Sequence, residues 1–255
     1  MSTNTRHNFY TSADAESVAR GAAEWIAQLA EKAISERGRF SVALAGGSTP
    51  RRVYEILAGD DGPGRLIDWT KVHVFFGDER TVPPDHADSN FGMAHGALLS
   101  RVALPAENVH RMIGEGDAVA NARLYEDELR SFFGDDADWP AFDLVMLGMG
   151  DDGHTASLFP ATAALEERRA WVAANWVEKF DTFRITLTAP AINHAARVLF
   201  TVTGAGKAAR LKEVVEGARD AARLPSQLIE PRGGSLDWFV DEAAAAQLDS
   251  SRSSS

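Results

Sequence analysis

The chain has 255 residues, 45% of them hydrophobic and 25% charged, with 21 glycines and 10 prolines, which are proportions neither a collagen-like nor a disordered chain shows. At roughly 150 residues per domain this length suits one large α/β domain or two smaller ones. A formal net charge of −11 repels polyanions, and the absence of cysteine removes disulfides, cysteine–zinc sites and thiol nucleophiles together.

Binding to nucleic acid or to an anionic membrane is therefore not expected, whereas a small anion in a local basic pocket is compatible with the charge. The segment Met1–Tyr10 is polar and carries Arg6 and His7, without the apolar core of a signal peptide. No window approaches the run of about 18 apolar residues that a membrane span needs.

Residues 13–37 predict an amphipathic helix: Val18, Ala22, Trp25, Leu29 and Ala33 recur at three- and four-residue steps, after a start signal at Thr11 and Asp14. Phe40–Ala45 is a short apolar run that ends in Gly46-Gly47, and Pro50 suits the first turn of a helix over 50–58. Val72–Phe76 is a second strand, closed by Gly77, with helices following at about 90–101 and 117–133. Phe142–Leu147, ended by Gly148, is a third strand. Arg184–Thr188 and Val198–Thr203 are two more, the latter feeding a helix at about 205–217. Leu236–Val240 and an Ala-rich helix at 241–248 complete the series.

Apolar strands alternating with helices predict an α/β fold in three layers, a mostly parallel sheet with helices on both faces. The linkers at 59–68 and 134–141 are short, so residues 1–249 are expected to form one domain, followed by a frayed Ser-rich tail at 250–255. Ligands of such sheets bind outside the carboxyl ends of the strands. The residues just after the apolar runs are Gly46–Thr49, Gly77–Arg80, Gly148–His154 and Gly204–Lys207.

Each of these loops has a chemical reading beside a plain one. In Gly46-Gly47-Ser48-Thr49-Pro50, two glycines let backbone N–H groups approach an anion at a helix N-terminus, and two hydroxyls add donors. A tight turn with a Ser/Thr cap explains the same residues. It is not a Gly-x-Ser-x-Gly elbow, since Pro50 stands in the last position. In Gly77-Asp78-Glu79-Arg80, Arg80 is suited to a phosphate and Asp78 or Glu79 to a sugar hydroxyl or to Arg80 itself; a solvated strand end is the alternative. Asp88-Ser89-Asn90 makes a helix cap.

Gly148-Met149-Gly150-Asp151-Asp152-Gly153 has the glycine spacing of a dinucleotide loop, but two aspartates would repel a pyrophosphate. The following His154, with Asp152 two residues before it, has what a general base on water requires; a loop histidine in a structural hydrogen bond is the competing reading. Gly204-Ala205-Gly206-Lys207-Ala208 lacks the hydroxyl of a P-loop, yet a lysine at a helix start is disfavoured unless an anion bridges it. The remaining histidines, His7, His73, His86, His95, His110 and His194, have no zinc spacing, and no metal is expected.

Taken in order, Ala45–Pro50, Phe76–Pro83 with Asp88-Ser89-Asn90, Leu147–Pro160, Arg184-Ile185-Thr186-Leu187, Gly204–Ala208 and Leu224-Pro225-Ser226 resemble the 6-phosphogluconolactonases, across nearly the whole chain. The resemblance implies a Rossmann-related fold like that of glucosamine-6-phosphate deaminases. It also implies hydrolysis of 6-phosphogluconolactone, the second step of the oxidative pentose phosphate pathway. It implies His154 as general base with Asp152 orienting it. The phosphate would be held by Gly46, Gly47, Ser48, Thr49, Arg80 and Lys207, with Asp78 on sugar hydroxyls or on Arg80. Arg184 and Asn90 are further candidates. The expected protein is a cytoplasmic monomer or weak dimer without a cofactor, whose partner is the sugar-phosphate lactone rather than nucleic acid or membrane.

Two positions depart from the pattern. Asp151 adds a second acid, expected to act on His154, and Gln227 stands where a small or apolar residue is expected. A deaminase-like isomerase is the nearest alternative, but Ser157-Leu158-Phe159-Pro160 lacks the Glu of its Phe-Asn-Glu-Pro run, and Arg80 replaces a tyrosine. A sugar-phosphate-sensing regulator would need a helix-turn-helix segment and a basic surface.

Overall fold

Six strands pair in parallel in the computed structural model, which describes residues 6–249: β1 (Arg6–Ser12), β2 (Phe40–Leu44), β3 (Val72–Phe76), β5 (Leu144–Gly148), β8 (Arg197–Val202) and β9 (Ser235–Asp241). Their order across the sheet is β1-β9-β8-β5-β2-β3. Every residue of β2 and of β9 is buried, so these strands are covered on both faces, as their apolar runs predict. The expected Ser-rich tail lies outside the described residues.

Seven α-helices accompany the strands among the described residues: α1 (Ala15–Arg37), α2 (Ser48–Leu57), α3 (Asn90–Ala94), α4 (Ala118–Phe133), α5 (Ala189–Ile192), α6 (Ala208–Glu216) and α7 (Glu242–Ala245). The signals that bound α1 are local. Asp14 accepts from the Ser17 amide at 2.8 Å, and Gly38 closes the far end in the left-handed region at φ 76°. Its buried stripe runs through Val18, Ala22, Ile26, Ala30 and Ala33; Trp25 and Leu29 flank it, half-buried.

Several expectations need correction. The polar N-terminal segment contains a strand, β1, paired to β9 along its whole length. Helix 90–101 is a five-residue α3 followed by a π-helical turn over His95–Leu99. The helix expected at 205–217 starts as a 3-10 turn, Ala205–Lys207. Most consequential, the strand around 184–188 is not part of the parallel sheet. It is β7 (Thr182–Leu187), the middle of a separate antiparallel sheet between β4 (Asp78–Arg80) and β6 (Val172–Val177).

Gly77 joins the two sheets. Its amide donates to Leu44 O of β2 at 2.9 Å, and its carbonyl accepts from the Leu187 amide of β7 at 2.8 Å. The chain therefore leaves the parallel sheet at the carboxyl end of β3 and enters the small sheet at once. From β2 the chain proceeds to β3 on one side and later returns to β5 on the other. The crevice between the ends of β2 and β5 is the topological switch point, where ligands of open α/β sheets bind.

Candidate active site

One cavity opens at that switch point. Ala45–Pro50, Gly77, Asp78, Arg80, Gly148–Gly150, His154, Thr203 and Lys207 line it, so four separate strand ends meet there.

The loop after β2 is pinned from below. Tyr54 Oη donates to Ala45 O at 2.8 Å and accepts from the Ala45 amide at 3.0 Å; its burial pushes the phenol above its ordinary range. Gly47 adopts φ 107°, and no side chain caps α2, which leaves the first amides of a ten-residue helix without a side-chain acceptor. Gly46 is closely covered: a Cβ there would overlap the Asn90 carboxamide. The Thr49 and Thr203 hydroxyls meet at 3.0 Å, tying this loop to the end of β8.

The three charges after β3 separate into different roles. Asp78 is buried; its carboxylate accepts from Ser157 Oγ at 2.7 Å and from Asn90 Nδ2 at 3.2 Å. Glu79 turns the other way. It accepts from the amides of Arg80 at 2.8 Å, Asn90 at 2.7 Å and Phe91 at 2.8 Å, and from Ser89 Oγ at 3.1 Å. Burial raises its pKa against those hydrogen bonds, and it does not line the cavity. The expectation that Glu79 meets a ligand or Arg80's side chain thus gives way to a structural role at the start of α3. Arg80 Nη1 donates to Asp88 O at 2.7 Å. Arg184 stands directly across the strand pair from it, and burial followed by the Arg80 charge lowers the Arg184 pKa.

The loop after β5 folds back on itself. Gly150 N donates to His154 O at 2.9 Å, Gly153 N to Gly150 O at 3.0 Å, and Thr155 Oγ1 to Gly148 O at 2.9 Å. This brings Asp152 Oδ1 within 2.5 Å of His154 Nδ1 and within 3.2 Å of the His154 amide. With Nδ1 engaged, Nε2 is the nitrogen left for a ligand or water. Phe159 stacks on the imidazole, ring centroids 4.1 Å apart, and a Cβ at Gly150 would overlap the ring. The Lys179 ammonium lies 3.6 Å from Asp152 Oδ2. Burial works to raise the Asp152 pKa, but the hydrogen bond and charge of His154 and the nearby Lys179 hold it below the ordinary carboxylate range.

At the end of β8, Lys207 Nζ donates to Met149 O at 2.9 Å and to Asp151 Oδ1 at 2.5 Å. The nearest partner of Asp151 is therefore Lys207, which lowers its carboxyl pKa most, while the charge of His154 also acts on it, as expected. Gln227, the other departure, is buried and well paired: Oε1 accepts from Asp220 N at 2.7 Å, and Nε2 donates to Glu213 O and Ala218 O at 3.2 Å each.

Of the residues singled out from the sequence, Gly46, Gly47, Ser48, Thr49, Asp78, Arg80, His154 and Lys207 line the cavity together. Asp152 stands behind His154, Asn90 behind Gly46 and Asp78, and Arg184 beside the cavity with its guanidinium 5.2 Å from the Phe180 ring. Sequence reasoning missed Ser157, Phe159 and Lys179 as individual contributors. The first two lie inside the quoted motif, but only the fold shows that they touch Asp78 and His154. Among the described residues, no three His, Asp or Glu side chains converge as a metal site would need.

The family model described as glucosamine-6-phosphate isomerases/6-phosphogluconolactonase matches residues 13–238. A 6-phosphogluconolactonase of a Nostoc species is 44% identical over 221 residues, which are 86% of this chain and 88% of that protein. The solved structure of 6-phosphogluconolactonase from Trypanosoma brucei superposes with a TM-score of 0.84 at 28% identity, covering 96% of this chain and 100% of that one. A monomeric glucosamine-6-phosphate deaminase superposes with a TM-score of 0.77 over 94% of this chain and 99% of its own; at 19% identity that likeness is one of fold.

Proposed function

The chain belongs to the glucosamine-6-phosphate isomerase/6-phosphogluconolactonase family, and from that premise we propose that it hydrolyses 6-phospho-D-glucono-1,5-lactone to 6-phospho-D-gluconate, with His154 as the base that activates water. The observation that carries the residue assignment is the Asp152–His154 pair at 2.5 Å, opening on a cavity that also holds an uncapped helix start, Arg80 and Lys207.

Lactone hydrolysis needs a deprotonated water and a place for the carbonyl oxygen's developing charge. In this reading His154 Nε2 takes a proton from water while the hydroxide adds to the lactone carbonyl carbon. The tetrahedral intermediate collapses, the bond to the ring oxygen breaks, and the imidazolium returns its proton to that oxygen. Asp152 holds the imidazole by Nδ1 and stabilises its protonated form. The phosphate sits on the 46–49 loop, with Arg80 and Lys207 as its cations. Asp78, fixed by Ser157 and Asn90, faces the sugar hydroxyls. Residues 1–249 act as one domain, in the cytoplasm, as a monomer or weak dimer without a cofactor.

The test is a substrate comparison. Purified protein is assayed for acid release from freshly made 6-phosphogluconolactone above the spontaneous rate, and for ammonia release from glucosamine 6-phosphate. The proposal requires the first activity and not the second; the reverse result assigns the chain to deamination.

A further inference from the structure

We propose that Asp151 is an internal stand-in for the substrate's phosphate: its carboxylate sits on Lys207, competes with an incoming anion for that ammonium, and so limits how tightly phosphorylated ligands are held. The inference rests on the reading of Lys207 as a phosphate-binding cation.

Lys207 has two partners of different kinds. One is the Met149 carbonyl, part of the catalytic loop's backbone. The other is the Asp151 carboxylate at 2.5 Å, whose side chain is 87% exposed while that of Lys207 is 25% exposed. The carboxylate thus reaches the ammonium from the solvent side, while the lysine itself lines the cavity. Asp151 can release it without disturbing the loop, because its backbone carbonyl is held separately by Arg210 Nε at 2.9 Å. Nor is the loop's end loose: Gly153 O accepts from both the amide and the hydroxyl of Ser226 at 2.9 Å. The hydrogen bond and charge of Lys207 hold the Asp151 carboxyl below its ordinary range, so it is ionised at neutral pH.

An ammonium has three N–H donors, and here two are in use. An arriving phosphate takes either the third donor or the one Asp151 holds. In both cases a negative carboxylate remains within Coulomb range of the phosphate. Removing that charge should tighten binding. A carboxylate that merely anchored the lysine would have the opposite effect, since its loss would loosen Lys207 and weaken binding. The direction of the change therefore separates the two roles.

The experiment measures dissociation constants of inorganic phosphate and of 6-phosphogluconate by calorimetry at low salt. The proteins are the wild type, Asp151→Asn, Asp151→Glu, Lys207→Met and the Asp151→Asn/Lys207→Met double variant. From the strength of exposed ion pairs, Asp151→Asn should bind both anions about two- to fivefold more tightly, with the gain shrinking as salt is added. Asp151→Glu, which restores the charge, should bind like the wild type. Lys207→Met should bind more weakly, and adding Asp151→Asn to it should give a smaller gain. If Lys207→Met weakens binding but Asp151→Asn does not tighten it, the inference falls and the phosphate assignment of Lys207 stands. If Lys207→Met leaves the affinity unchanged, both fall.

Discussion

Gly153 separates Asp152 from His154, and its replacement by alanine tests whether the backbone there sets the geometry of the catalytic pair. Its φ is 82°, and a Cβ would lie 2.7 Å from Leu224 Cδ2 and 3.4 Å from Leu224 Cα. Leu224 is fully buried and cannot swing into solvent. The left-handed conformation alone costs a non-glycine residue about 1–2 kcal/mol. The contact adds to that unless the loop shifts. A shift is resisted by the Gly153–Gly150 hydrogen bond at 3.0 Å and by the two bonds from Ser226. Gly38 provides the control. It has a similar φ of 76° but open space around the missing Cβ, and it closes α1 far from the cavity. Gly38→Ala should lose about 1–2 kcal/mol in urea denaturation and keep its kcat. Gly153→Ala should lose more stability than Gly38→Ala. It should also lose kcat by about tenfold or more, since displacements near 1 Å cost up to about a hundredfold. Equal stability losses in the two variants, or a Gly153→Ala enzyme with wild-type kcat, would mean that the backbone at Gly153 does not set the geometry of the pair.

Three further outcomes are expected. Asp152→Asn keeps a hydrogen-bonding group beside His154 Nδ1 but removes the charge that supports the imidazolium, so kcat should fall about a hundredfold or more with little change in KM; steady-state kinetics decide this. Asn90→Ala removes the amide donor to Asp78 O at 2.8 Å and the cover on Gly46, and should raise KM for the lactone while melting shows a loss of about 1–3 kcal/mol. Glu167 accepts from the amides of Arg169 at 2.7 Å, Arg168 at 2.8 Å and Ala170 at 3.0 Å, which, led by Ala170 and Arg169, lower its pKa. A lowered folded pKa means stability that is present above the usual glutamate value of 4.5 and lost as pH falls through the folded one. Glu167→Gln should therefore be less stable than the wild type above pH 4.5, with the gap closing in more acidic buffer. A gap that widens toward acid would contradict the hydrogen-bond assignment.

The parallel sheet and the cavity were legible because buried strands in such a sheet carry no polar alternation and end in glycines, which marks where each ligand loop begins. Gly46–Thr49, Asp78, Arg80, His154 and Lys207 all sit at such ends, and they converge in space. What the sequence concealed was set by tertiary partners. β1 is an edge strand of mixed polarity in which, over residues 7–12, Phe9 is the one buried residue, so it gave no apolar run. Thr182–Leu187 had the composition of a strand, but its antiparallel partners β4 and β6 were hidden, one in a triplet of charges and the other in Val-Ala-Ala-Asn-Trp-Val. Asp78 and Glu79 are neighbours with nearly the same chemistry. Strand alternation sends one to the cavity and the other to the amides of α3, and no local signal says which. Asp151 went the same way, since Lys207 is 56 residues distant in the chain.

The proposed chemistry turns on His154 activating water for lactone hydrolysis. Its most direct test is the rate of 6-phosphogluconolactone hydrolysis above the spontaneous background, wild type against His154→Ala, with EDTA present. Rapid wild-type turnover and a loss of about a hundredfold or more in the variant are expected. A His154→Ala enzyme that hydrolyses the lactone at the wild-type rate would contradict that role.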